Sequence, residues 1–119
     1  MSRRRWLPAL LWLALVLTAT SIPNPDVPNV PGGDKVAHTI MYGVLTLLVT
    51  HALSGSRRLL GAAAATVPLV ALIAAVDEWH QLFIPGRSAS VADWLADMAG
   101  AGLALLVCGA VLVRRESAS

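Results

Sequence analysis

The stretch VDEWHQLFIPGRSASVADWLAD, Val76 to Asp97, sets Asp77, Glu78, His80, Gln81, Arg87, Asp93 and Asp97 between two long apolar runs. In its middle PGRSAS, Pro85 to Ser90, collects proline, glycine and serine, a composition that ends helices and makes turns. The stretch therefore reads as the end of one helix, a tight loop and the start of the next. At about 100° per residue, Asp77, Glu78, His80 and Gln81 share one side of the first helix, and Trp79, Leu82 and Phe83 take the other. On the second helix Asp93 and Asp97 lie one turn apart, and their stripe continues as Gly100 and Ala104, small residues that let helices approach closely. Both sets of acids are expected to face protein.

The chain around this stretch is oily. Of its 119 residues 56% are hydrophobic and 13% charged, and the mean hydropathy is +0.68. Soluble domains average about 45–50% apolar and about 25% charged residues, so one integral membrane domain over residues 1–119 is expected. The net charge of +2 and the pI of 9.3 come with no basic stripe carrying interleaved aromatics, which argues against nucleic acid as a partner. Cys108 is the lone cysteine and lies in an apolar run. It can form no intramolecular disulfide and reads as a small buried hydrophobe.

Four runs approach the roughly 20 apolar residues that a helix needs to cross the hydrocarbon core: 6–22, 36–53, 59–84 and 91–113. PNPDVPNVPGGD, SGSRR and PGRSAS separate them. The expected fold class is all-α, an integral membrane four-helix bundle. Pro8 falls in a first turn, where its missing N–H costs little, while Pro68 lies inside the third run and predicts a kink. Arginines set the orientation, because basic residues in short loops stay on the cytoplasmic side. Arg3, Arg4, Arg5, Arg57, Arg58, Arg114 and Arg115, seven of the nine basic residues, fall on one face when all four runs cross. Both termini are then cytoplasmic, giving a multi-pass protein of the cell membrane. A cleaved signal peptide is the competing reading of the first run, but Thr18-Ala19-Thr20-Ser21 offers no good small-residue cleavage site. Trp6, Trp12, Trp79 and Trp94 lie mostly near span ends and read as interfacial anchors.

That topology brings a third polar stripe to the outer end. Asp34, His38 and Tyr42 repeat every four residues at the start of the second helix. Ionisable groups at mid-bilayer cost about 2.5–3.5 kcal/mol each on insertion scales, and less near the headgroups, so this concentration needs compensation. Lys35 and Arg87 can supply it, as can the helix N-termini at Asp34, Asp93 and Asp97.

On DKVAHTIMYG (Asp34–Gly43), DEWHQLFIPGRSASVADWLADMAG (Asp77–Gly100) and the four-helix plan, the chain resembles the VanZ-like family of small bacterial membrane proteins. The similarity runs from about Asp34 to Gly102, with signature positions at Asp34, Lys35, His38, Tyr42, Asp77, Glu78, Gln81, Arg87, Ser88 and Asp93. It implies action at the cell envelope and reduced susceptibility to teicoplanin-type glycopeptides, with no firmly assigned catalytic residues. Position 97 departs from the asparagine expected of the family, and the extra acid there favours a shared proton or an ion pair with Arg87 or Lys35.

Several roles remain open for these residues. Asp77 and Glu78 can act as general acid and base, with His38 as a third candidate, or Glu78 can form a structural pair with Arg87. Asp93 can close a capping box with Ser90. Lys35, Arg87, Gln81, Asp34, Asp93, Asp97 and Tyr42 are candidates for holding substrate, Arg87 through a guanidinium fork that suits phosphate oxygens. Imidazole and carboxylates together suit zinc or manganese, but no spacing such as HExxH is present, so no metal and no cofactor is expected. The lipid bilayer is the expected partner, with a lipid-linked cell-wall precursor or a glycopeptide as the candidate ligand. Three functions compete: a shielding or binding module of the envelope, an enzyme acting on a lipid-linked or anionic envelope substrate, and a small proton-coupled transporter.

Overall fold

Each of the four apolar runs holds a helix in the computed structural model, which describes residues 3–21, 33–55, 58–85 and 91–118. The helices are α1 (Arg3–Ser21), α2 (Gly33–Leu53), α3 (Leu59–Gln81) and α4 (Val91–Ala118). Helix and apolar run do not share the same ends. Arginine is a good helix former, so α1 begins on its arginines and α4 continues through Arg114. In contrast α3 stops at Gln81, three residues before the apolar run does. The N–H groups of Leu82, Phe83 and Ile84 bond back three residues, to the carbonyls of Trp79, His80 and Gln81 at 3.2, 3.1 and 3.2 Å. This tightened turn precedes Pro85, whose ring disfavours helical geometry at Ile84. Pro68 leaves α3 continuous.

Among the described residues three helices are long and apolar enough to cross a membrane, over Lys35–Leu53, Leu59–Gln81 and Val91–Val111. The first run falls short of that standard: three of the 19 residues of α1 are arginines at its start.

The helices alternate in direction around α2, which touches each of the others. Arg5 on α1 donates from Nη2 to the His51 carbonyl and to Ser54 Oγ, both at 3.1 Å, so the start of α1 meets the end of α2. A guanidinium there also suits the negative end of the helix dipole. Next to α2, α4 runs parallel and very close. Thr39 Oγ1 donates to the Ala96 carbonyl at 3.3 Å, and a methyl group on Gly100 would fall 2.1 Å from the Thr39 carbonyl oxygen. Only glycine fits at that crossing.

Two of the four tryptophans differ from the expected anchoring role. Trp12 Nε1 donates to the Met41 carbonyl of α2 at 2.9 Å, and Trp94 Nε1 on α4 donates to the Ala71 carbonyl of α3 at 3.2 Å. An indole N–H that leaves water needs an acceptor, and these two find theirs on neighbouring helices. Trp79 instead faces outward and meets Phe83 edge to face at 5.2 Å. Trp94→Phe is expected to loosen α4 from α3 by about 0.5–1.5 kcal/mol, read as a lowered melting temperature in detergent, with Trp79→Phe as the neutral control.

The bundle exposes many bulky apolar side chains and buries small and charged ones beside an apolar core that includes Leu45, Val49 and Val70. Buried positions on α3 include Ala62, Thr66, Val70 and Ala74, spaced by four, with Asp77, Glu78 and Gln81 beyond them. Large apolar side chains such as Leu60, Leu72, Phe83 and Leu106 point outward. Small residues at helix contacts, charges turned inward and a bulky apolar surface are the arrangement of helices packed in lipid.

Candidate functional site

Direction and register bring polar residues of every helix to the end of the bundle away from Arg5, Arg58 and Arg114. On α2 the buried positions His38, Tyr42, Leu45, Thr46, Val49 and Thr50 follow the three- and four-residue steps of one helix face. The polar end of that face meets the acids of α3 and α4. His38 Nδ1 lies 2.6 Å from Asp97 Oδ1 and 3.8 Å from Glu78 Oε1, so the imidazole sits between a carboxylate of α4 and one of α3. All three groups are buried. One turn away, Tyr42 OH donates to Asp77 Oδ2 at 2.7 Å, and the Tyr42 ring stacks parallel to His38 at 6.5 Å. The second oxygen of Asp77 accepts from Thr20 Oγ1 of α1 at 2.9 Å.

Toward the helix ends Lys35 Nζ reaches Asp93 Oδ1 at 2.7 Å. The lysine side chain is 49% exposed and the aspartate 5%, so this pair joins the buried cluster to its surroundings. Gln81 Nε2 lies 3.5 Å from Glu78 Oε1, at the outer limit of a hydrogen bond. Asp97 Oδ2 is buried and has no hydrogen-bond partner among the described residues. The same is true of His80 Nδ1.

A family model described as VanZ/LLP1 matches residues 4–113. The chain belongs to the VanZ-like family. Neither a curated protein nor a solved structure matches it. The match takes in α1 as well as α2 to α4, and so extends upstream of the motifs that carried the sequence resemblance.

In this VanZ-like protein the structure brings Lys35, His38, Tyr42, Asp77, Glu78, Gln81, Asp93 and Asp97 to one end of the bundle. Their neighbours divide the expected roles. Asp77 spends both oxygens on Tyr42 and Thr20 and ties three helices together, whereas Glu78, one residue on, faces His38. For Asp97 the sequence left open a shared proton or an ion pair with Arg87 or Lys35; its partner among the described residues is His38. Asp93 meets Lys35. Its expected capping partner Ser90 lies outside the described residues, as do Arg87, Ser88 and the side chain of Asp34. Thr20 is the polar group that sequence reasoning passed over. It falls on the same buried side of α1 as Ala9 and Val16, and that spacing was the available signal.

Chemically, the arrangement offers an imidazole held by one buried carboxylate and facing a second. Such a group can exchange a proton or share a cation.

Proposed function

We propose that this VanZ-like membrane protein lies in the cell membrane as a four-span bundle with both termini in the cytoplasm. Its buried polar cluster faces the outer side, acts there on the cell envelope, and lowers susceptibility to teicoplanin-type glycopeptides. One observation carries the reading: the His38, Glu78, Asp93 and Asp97 cluster sits at the end of the bundle opposite Arg5, Arg58 and Arg114. Basic residues stay on the cytoplasmic side, so the opposite end faces outward. The outward-facing Leu7, Leu10, Leu11 and Leu15 support α1 as the fourth, short span, with Arg3 to Arg5 reaching into the headgroups. Lys35, half exposed beside the cluster, is the described cation best situated to meet an anionic ligand.

Two experiments test this. A reporter fused after Ser119 should be active only in the cytoplasm, and one inserted near Asn29 only outside; the reverse pattern removes the outward site. Teicoplanin susceptibility and lipid-linked precursor profiles are then compared with and without the gene. Lower susceptibility is expected when it is present. A changed precursor profile identifies a reaction, and an unchanged one identifies binding or shielding. Equal susceptibility with and without the gene refutes the envelope role.

A further inference from the structure

The sequence contains no metal-binding spacing, because residues 38, 78 and 93 come from three different helices. The fold brings them together. His38, Glu78 and Asp93 are all buried, and one donor atom from each lies within 4.8 Å of the others. Donors around a tetrahedral zinc ion, each about 2.1 Å from the metal, stand roughly 3.4 Å apart. Glu78 Oε1 stands 3.8 Å from the His38 ring at Nδ1, so the donor groups of α2 and α3 already adjoin.

A second observation points to the same place. Asp97 is completely buried, its Oδ1 is 2.6 Å from His38 Nδ1, and its Oδ2 has no hydrogen-bond partner among the described residues. A carboxylate behind an imidazole is the usual support of a metal-ligating histidine, fixing its tautomer and raising its basicity. If Asp97 accepts the Nδ1 proton, the Nε2 lone pair is left for an ion; if Nδ1 faces the ion, Asp97 becomes a further oxygen donor. Four carboxylates, on Asp77, Glu78, Asp93 and Asp97, are buried within this end of the bundle. A divalent cation would offset that charge more effectively than Lys35, which is half exposed, does alone.

We propose that His38, Glu78 and Asp93 bind a divalent first-row transition-metal ion, zinc or manganese, with Asp97 as the positioning residue for the His38 ring. One imidazole and two carboxylates suit these ions, whereas calcium prefers six to eight oxygen donors. Three protein ligands leave a coordination position open for water or for an anionic ligand atom. Lys35 shares Asp93 with the ion, and its long, half-exposed side chain can swing away.

The test uses the full chain in detergent, stripped with a chelator, dialysed, and titrated separately with zinc and manganese chloride. Bound metal is measured by mass spectrometry and thermal stability is followed in parallel. Stoichiometric uptake of one ion per chain with a raised melting temperature is expected for one of the two metals. His38→Ala and Asp93→Asn should abolish that uptake. Asp97→Asn, nearly isosteric, should fold and weaken affinity by about 10–100-fold. His51→Ala, at the opposite end of α2, should bind as the wild type does. Absence of stoichiometric uptake by the wild-type chain overturns the proposal, as does unchanged affinity in Asp97→Asn together with retained binding in Asp93→Asn. Metal content is read on the purified chain, independently of any glycopeptide phenotype.

Discussion

Gly100→Leu should be the most damaging single substitution in the bundle, far worse than Leu106→Ala nearly two turns further along the same helix. Even the first carbon of the new side chain would sit 2.1 Å from the Thr39 carbonyl oxygen, 2.9 Å from its carbon and 3.1 Å from the Gly43 nitrogen. Those are backbone atoms of a helix, and no rotamer change can move them. To admit any side chain, α4 must back away from α2, and the His38–Asp97 and Lys35–Asp93 contacts cross the same interface at 2.6 and 2.7 Å. Overpacking typically costs about 1–3 kcal/mol and occasionally more, and a clash with rigid backbone belongs at or above the top of that range. Leu106 is 71% exposed on the outer surface, so its truncation removes contacts with lipid and few with protein. Yield after membrane extraction and melting temperature in detergent are the readouts. Equal values for the two variants would mean that α2 and α4 do not cross at Gly100.

His38→Ala should come next. It leaves Asp97, wholly buried, without the one partner that its side chain has among the described residues. Breaking one side of a buried pair costs about 3–5 kcal/mol, chiefly because the remaining charge is stranded. A double variant separates this from simple loss of volume. With Asp97→Asn added, no stranded charge remains, so part of the lost stability should return, with a coupling of about 0.5–3 kcal/mol between the two sites. Additive losses would mean that His38 acts through packing alone.

The inward stripes of the site were legible in the sequence because helical periodicity is local. Asp77, Glu78 and Gln81 are buried and Trp79, Leu82 and Phe83 exposed, as the facing of α3 implies. The buried line of Asp93, Asp97, Gly100 and Ala104 follows from the same arithmetic. Partner choice was not legible. Whether Asp97 meets His38, Lys35 or Arg87 depends on the register of α4 against α2. That register is set by the close crossing of Gly100 on Thr39 and Gly43, a contact between residues far apart in the chain. Helix ends were misread where apolar character and helix propensity diverge. Arginine ends an oily run without ending a helix, while Pro85 acts backward on Ile84 and ends α3 inside an oily run. Thr20 escaped notice because a lone threonine carries little signal until Asp77 is found opposite it.

The proposed envelope function requires the charges of the buried cluster and not only an intact fold. Glu78→Gln tests this most directly, because it keeps the shape of the side chain and removes its charge, while His38 retains Asp97 and Gln81 retains an oxygen acceptor. Teicoplanin susceptibility is compared between cells carrying the wild-type chain and the variant at matched membrane accumulation. Glu78→Gln is expected to accumulate normally and to lose the proposed protection. Full protection by the variant at the same accumulation would contradict it.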